Sequence, residues 1–536
     1  MKVKLFFFVS LSLSSIAAFT QQLNFPLSNP YFNDLEKTLY SPTYYFHTSM
    51  RPWLVSEVNK VADTDSIKNL FRINTKSSRK ICKTSNNLLF NNHLISLNKE
   101  DFKLNLDPVF NFELGKDFVA NDGSRYVNTR GVQLEGSIKD KFSFFSTFYE
   151  NQATFINYLD SNIKYTNVVP GQGNPKEFKN SGFDYAWASG YISYTPSKYF
   201  NFQFGHGKNF IGDGYRSLLL SDNSFNYPHL KITTNIWRFK YVNIFAEFMD
   251  LKMPHSYDLG FRKKYGTFHY LSYAVNKRLN IGLFESIIWK AADSTGYRGF
   301  DINYLNPIIF FRPVEFSLGS PDNALMGANI SFKLRKRNVL YGQLLLDEFK
   351  IHEVMSGKGW WANKQAFQLG LKSFDIFGVK NLYIQTEYNY VRPYTYTSRS
   401  TLQNYAHYNQ ALAHPLGANF KESVSFLKYS YKRFFAEIKF NYAVYGADTA
   451  NSNYGKDIFL SYDSHPSEYG NFTGQGIKTT LTYKDFRISY LINPSTNLNI
   501  SLGISDRNEN SVLKNSHSTF VYFGIRTSLN NFYYDF

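Results

Sequence analysis

From Phe102 onward, apolar and polar residues alternate with period two in run after run. Ala436, Ile438, Phe440, Tyr442 and Val444 share one face of an extended run, with Glu437, Lys439, Asn441 and Ala443 on the other. Leu498, Ile500, Leu502 and Ile504 alternate with Asn499, Ser501, Gly503 and Ser505. Val132, Leu134 and Ile138 alternate with Gln133, Glu135 and Ser137. Period two marks strands with one apolar face. A soluble sandwich would turn those faces into a core, but they are too many, and helices to cover them are too few. Past the N-terminus, no segment approaches the ~18 apolar residues of a spanning helix. A closed barrel, apolar outside and polar inside, crosses a bilayer without one.

The spacing of the breaks agrees. Short connections fall near Lys139-Asp140-Lys141, Thr195-Pro196-Ser197, Phe239-Lys240-Tyr241, Asn276-Lys277-Arg278, 335–338, 376–380, Lys432-Arg433 and 493–496. Long polar connections lie between them at 151–184, 207–227, 251–265, 289–324, 348–363, 392–422, 446–475 and 508–517. Short periplasmic turns alternating with long external loops are the pattern of an outer-membrane barrel. The sequence therefore predicts an all-β fold: a transmembrane antiparallel β-barrel of about 18 strands. Residues 476–493 are read as one long strand and 307–316 as loop. The last strand, 520–529, puts Val521, Phe523, Ile525 and Leu529 toward lipid. The aromatic ending Tyr533-Tyr534-Asp535-Phe536 resembles the signal read by barrel-assembly machinery.

Residues 1–20 read as a signal peptide: Lys2 and Lys4, the apolar run 5–18, then small residues near Ala17-Ala18. Residues 21–100 lack the alternation and read as a partly helical periplasmic segment, with a helix start at Asn29-Pro30. Its lone His47 is read as structural. Residues 101–536 form the barrel. The single cysteine, Cys82, cannot form an intramolecular disulfide and lies too far along for lipidation beside a leader. Aromatics reach 18%, with 41 Tyr and 52 Phe, as barrel girdles require. The formal charge of +17 points, for a secreted barrel, to lipopolysaccharide phosphates and acidic polysaccharide rather than nucleic acid; Lys and Arg scattered at strand ends and loops are the alternative. The segment before the first strand is too short for the plug of a TonB-dependent importer.

Polar residues concentrate on a glycine-rich frame at 205–223. Gly205, Gly207, Gly212 and Gly214 shape this loop, and Lys208, Asp213, Arg216, Ser221, Asp222 and Asn223 are its candidate polysaccharide-binding groups. A second loop carries Trp360-Trp361, whose ring faces suit sugars; an interface anchor is the alternative. A third offers Arg312 and Glu315 as a charge pair for the lumen; a folded-in loop that closes the pore by packing is the alternative. Catalysis is not expected, because the Gly212–Ser217 run lacks G-x-S-x-G and no phosphate loop or H-E-x-x-H motif occurs. Neither a cofactor nor a metal is expected.

The combination Gly205-x-Gly207-Lys208, Gly212-x-Gly214 and Ser217-Leu218-Leu219-Leu220-Ser221-Asp222-Asn223 resembles the Wzi-type capsule-assembly barrels. His47-Thr48-Ser49-x-Arg51-Pro52, Asn306-Pro307 with Arg312-Pro313-x-Glu315, and Gly524-Ile525-Arg526-Thr527 with the aromatic ending are similar to the RemB-type gliding-motility proteins of Bacteroidota. The resemblance implies an 18-stranded outer-membrane lectin that attaches capsular polysaccharide, or a gliding and adhesion role. A diffusion channel, or an accessory subunit of a surface secretion or motility machine, is the alternative.

Overall fold

A computed structural model describes residues 22–28, 32–73, 80–120, 123–179, 181–252, 260–293, 296–310, 319 and 322–536. The leader at 1–20 and the Arg312–Glu315 pair lie outside the described residues.

Eighteen antiparallel strands close into one barrel. In chain order they are β1 (Phe102–Asp117), β2 (Ser124–Ile138), β3 (Phe142–Thr154), β4 (Gly182–Ser197), β5 (Phe200–Gly207) and β6 (Tyr227–Ile236). Next come β7 (Phe239–Asp250), β8 (Arg262–Ala274), β9 (Leu279–Lys290), β10 (Asn323–Lys333), β11 (Asn338–Glu348) and β12 (Lys364–Phe374). The circuit ends with β13 (Leu382–Val391), β14 (Phe420–Tyr431), β15 (Phe434–Ala447), β16 (Ile477–Asn493), β17 (Leu498–Ser511) and β18 (Asn515–Thr527). β18 closes on β1 through Phe520↔Asp117 to Arg526↔Asn111. Closure leaves no unpaired edge in the wall, which a lipid setting requires.

The faces are inverted relative to a soluble protein. On β15, Phe440 is 42% exposed while Asn441 is fully buried. On β17, Leu502 is 56% exposed and Ser501 is 2%. Gln133, Gln343, Glu387 and Glu422 are buried in the same inward sense. Exposed Tyr199, Trp237, Phe377, Tyr431 and Phe434 ring the short-turn end, as an interfacial girdle does. The architecture is that of an outer-membrane β-barrel. Among the described residues no helix is long and apolar enough to cross a membrane.

The described residues of the N-terminal segment, 22–28, 32–73 and 80–92, pack against the short-turn end. Helices α1 (Phe32–Leu39), α2 (Val55–Val58), α3 (Thr64–Leu70) and α4 (Lys80–Phe90) occur here. Leu35, Leu39, Trp53, Val58 and Phe71 form an apolar cluster against Leu491. Ion pairs Glu36–Lys372 (2.9 Å), Lys37–Asp375 (2.6 Å) and Glu57–Lys240 (2.6 Å) tie the segment to the wall. His47 packs against the wall, its Nδ1 2.8 Å from Ser272 Oγ of β8.

Several boundaries differ from the sequence reading. Phe239, Lys240 and Tyr241 belong to β7, and the turn is Trp237-Arg238; Lys240 points inward to Glu57, so its charge marks a lumenal partner and not a turn. The connection expected at 508–517 shrinks to 512–514, because Asn508↔His517 and Asn510↔Asn515 still pair. β18 ends at Thr527. Leu529 therefore faces no lipid: it packs with Val109, Tyr149 and Trp187 on the inner wall. The aromatic ending is not the tip of a strand but a tail, 528–536, folded back into the lumen.

Candidate functional site

The glycine-rich stretch is not an external loop. From the end of β5 the chain turns inward, and 208–226 crosses the barrel before rejoining the wall as β6. Phe210 and Ile211 pair antiparallel with Arg51 and Met50 of the N-terminal segment. Asp213 accepts from Tyr40 Oη (2.7 Å), Thr48 Oγ1 (2.5 Å) and Asn329 Nδ2 (2.9 Å), so floor, loop and wall meet on one carboxylate. Glu387 of β13 accepts the backbone N–H groups of Tyr215 (2.8 Å) and Arg216 (2.9 Å) and the hydroxyl of Tyr341 (2.9 Å). Gly214 makes that approach possible. A Cβ there would lie 2.6 Å from Glu387 Oε2 and 2.8 Å from the Arg216 carbonyl, so only glycine fits.

Arg216 is the centre of this knot. Its side chain is 1% exposed, 2.9 Å from Glu422 Oε1 and 3.1 Å from Asp535 Oδ1, with Tyr215 and Tyr533 rings against the guanidinium. Burial opposes its charge, but Asp535 and Glu422 outweigh that and raise its pKa well above the ordinary value. Burial likewise pushes the Asp535 carboxyl up, and Arg216 followed by Lys439 reverses this, so it stays below the ordinary 3.8. His414 Nε2 lies 2.6 Å from Glu422, and its Nδ1 accepts from the Leu416 N–H (3.1 Å). Burial holds that imidazole below 6.5. The neutral Nε2–H tautomer satisfies both contacts.

The remaining predicted groups are also consumed internally. Lys208 donates to the carbonyls of Gly171 (2.7 Å) and Asp222 (3.1 Å), and burial draws its ammonium down to about 8 despite the attraction of Asp222. The Asp222 carboxylate accepts from Tyr533 Oη (2.6 Å) and Asn531 Nδ2 (2.9 Å) of the tail. Ser221 Oγ donates to the Ala413 carbonyl, and Asn223 Nδ2 to that of Ala411 (3.0 Å). Tyr396 and Tyr405, from the connection between β13 and β14, donate to the carbonyls of Leu218 (2.8 Å) and Leu219 (2.6 Å). Lys208, Asp213, Arg216, Ser221, Asp222 and Asn223 are thus buried plug-forming groups, inaccessible to a polymer in this arrangement. Gly205 and Gly207 belong to β5, while Gly212 and Gly214 are in the plug. Thr48, Arg51, Asp213 and Asp535, scattered through the quoted sequence motifs, converge here around Arg216.

Trp360 and Trp361 sit elsewhere, half-buried at the long-loop end. Their loop is pinned to the 448–476 connection: Trp361 N–H donates to the Glu468 carbonyl (3.0 Å), Gly470 N–H to that of Lys358 (2.9 Å), and Asn471 N–H to that of Gly359 (2.9 Å). Gly359 takes φ +70 with Asn471 backbone 3.0 Å from where a Cβ would stand. Trp361 stacks on His465 (4.3 Å between centroids), with Tyr462 at 5.0 Å, and its Nε1–H donates to Glu468 Oε2 (3.0 Å). Lys350 lies 4.5 Å over Trp360. Tyr469 and Phe472 are exposed nearby. Aromatic faces, a carboxylate, an imidazole and an ammonium therefore share one accessible ridge. His465, Tyr462 and Glu468 were not singled out in the sequence; they lie about a hundred residues from Trp361, and only the packing of two loops joins them.

No protein-family model and no curated protein matches the chain. Solved structures do match. Wzi of Escherichia coli, described as a carbohydrate-binding β-barrel of the outer membrane involved in group 1 capsule assembly, superposes with TM-score 0.53 at 12% identity, covering 93% of this chain and 98% of that one. OccAB2 of Acinetobacter baumannii gives TM-score 0.43 at 8% identity, over 80% and 98% of the two chains. OccK1 (OpdK) of Pseudomonas aeruginosa gives 0.44 at 10%, over 79% and 98%. The first of these likenesses identifies the fold class, an outer-membrane barrel of the kind Wzi has.

Proposed function

We propose that this protein is a non-enzymatic, occluded outer-membrane barrel that binds surface polysaccharide on its outer rim and serves its attachment to the cell. The observation that carries the reading is the Trp360–Trp361–Tyr462–His465 ridge with Glu468 and Lys350 beside it. Sugar rings present apolar faces and hydroxyl rims, which stacked aromatics flanked by hydrogen-bonding groups accommodate. Pinned loops supply the ridge with little ordering cost on binding. The fold shared with a capsule-assembly barrel supports capsule attachment ahead of gliding motility or a secretion-machine subunit. A lumen crossed by the 208–226 plug, the tail and the N-terminal segment speaks for a retention device rather than a diffusion channel. Lipopolysaccharide is the neighbouring surface such a barrel meets.

The test is polysaccharide retention by host cells carrying a Trp360→Ala/Trp361→Ala variant, with barrel insertion checked by heat-modifiable gel mobility. Loss of cell-bound polysaccharide with normal insertion supports the reading. Retention at the parental level refutes it.

A further inference from the structure

Beside the plug, a cavity of about 430 Å³ runs along the inner wall of β1–β3 and β14–β18, closed on its other side by tail residues 530–534. Its position is separate from the outer rim, and none of the residues discussed there line it. Its size falls within the ~300–1,000 Å³ of small-molecule pockets. Its walls are tyrosine-rich, with Tyr149, Tyr158, Tyr185, Tyr483 and Tyr522 among them, and cations outnumber carboxylates seven to four. Two polar atoms at its edge are buried without a hydrogen-bond partner: Arg526 Nε and Asn111 Oδ1. They stand on residues directly paired across the β18–β1 closure. Glu113 pairs with Arg526 at 3.9 Å, too long for a hydrogen bond. Arg51, at the far side of the cavity, also has a buried Nε without a partner. Lys428 (3.1 Å) and Arg487 (2.6 Å) both lean on Glu437, so one carboxylate there serves two cations.

Each feature asks something of an occupant. A guanidinium edge with an unused N–H is matched by a carboxylate, which guanidinium holds in a charge-assisted pair. An unused amide oxygen calls for a hydroxyl donor. Tyrosine rings supply faces and further hydroxyls for a compact ring. We propose that this lumenal cavity is a binding site for a small hydroxylated carboxylate, of the uronic-acid class, held by Arg526 with Asn111 receiving one of its hydroxyls. The site is independent of the rim. Such a ligand has two sources, a free acid sugar or the acidic residue of a polysaccharide, and the experiment separates them.

The experiment titrates D-glucuronate into the full-length protein in detergent, read by saturation-transfer difference NMR, with D-glucose as the uncharged comparison. Host polysaccharide is added as competitor in a second arm. The expected result is saturable glucuronate binding, at least about tenfold weaker for glucose, and weakened at least about tenfold in Arg526→Gln with partial rescue in Arg526→Lys. Trp361→Ala should leave it unchanged. Displacement by polysaccharide assigns the polymer as the source, and its absence assigns the free acid; both keep the site. Equal binding of glucose, undiminished binding by a folded Arg526→Gln variant, loss in Trp361→Ala, or no saturable signal overturns the proposal. Folding of each variant is verified by heat-modifiable mobility, and Asn111→Ala serves as the second probe should Arg526→Gln fail to insert.

Discussion

Replacing Arg216 with Met tests whether plug and tail are held by one buried ion cluster. The guanidinium is 1% exposed and bridges two fully buried carboxylates, Glu422 and Asp535. Removing one partner of a buried pair costs about 3–5 kcal/mol, mostly because the orphaned charge stays out of water. Glu422 retains hydrogen bonds from His414 (2.6 Å) and Asn441 (2.9 Å), whereas among the described residues Asp535 keeps the Tyr215 hydroxyl (3.1 Å) and, as its one remaining cation, Lys439 at 3.4 Å. Most of the loss therefore falls on the tail, which should swing out to solvate Asp535. The assay is carboxypeptidase digestion of the folded barrel together with urea unfolding. Arg216→Met should expose the tail to digestion and lower unfolding stability by about 3 kcal/mol or more. Adding Asp535→Asn should recover part of it, a coupling of about 0.5–3 kcal/mol for groups in contact. Arg216→Lys should fall between, since one ammonium does not reproduce the planar fork. Strict additivity with a loss below about 0.5 kcal/mol would show that the cluster holds nothing.

Other outcomes follow from the same contacts. The closed tail should loosen on acidification in two stages. The His414 pKa is depressed below 6.5, so an opened state takes up a proton first; closure is fully favoured above 6.5 and weakens as pH falls below it. Asp535, held below 3.8, contributes stability that is complete above 3.8 and disappears as pH falls through its lower folded value. Tail digestion measured from pH 8 to 3 should rise accordingly, and a flat profile would contradict the assignment. Gly370→Ala should destabilise the barrel by about 1–3 kcal/mol in urea, because the new Cβ would stand 2.1 Å from the Tyr341 ring, whose hydroxyl holds Glu387. Gly214→Ala should instead loosen the plug locally, seen as faster hydrogen exchange at Tyr215 and Arg216 with the barrel strands unchanged.

The wall was legible in the sequence because lipid and lumen impose opposite chemistry on successive residues. Ile438, Phe440 and Tyr442 against Lys439 and Asn441 could be assigned faces without coordinates, and the short turns at Lys139–Lys141 and Lys432-Arg433 fixed the hairpins. The plug was not legible as a plug. A polar lumen and bulk water demand the same composition, so Lys208, Asp213 and Asp222 read equally well as solvent-facing groups. The residues that consume them lie far away in the chain: Glu387, Glu422 and Asp535 each stand on an element with its own local reading. The tail misled for a related reason. Phe536 after an alternating strand looked like a strand end, although Asn530-Asn531 breaks the alternation and marks where the chain leaves the wall. Trp360-Trp361 was visible as an adjacent pair, but the ridge it joins exists only once two loops are pinned together through Gly359 and Asn471.

Hydroxyl-radical footprinting of the native protein with and without polysaccharide extracted from its host decides whether the outer-rim aromatic ridge is where polysaccharide binds. Protection concentrated at Trp360, Trp361, Tyr462 and His465, with Phe210 of the plug and the buried Tyr396 and Tyr405 packed on it unreactive in both states, is the predicted result. Unchanged reactivity along that ridge at saturating polysaccharide, or protection confined to other loops, would contradict it.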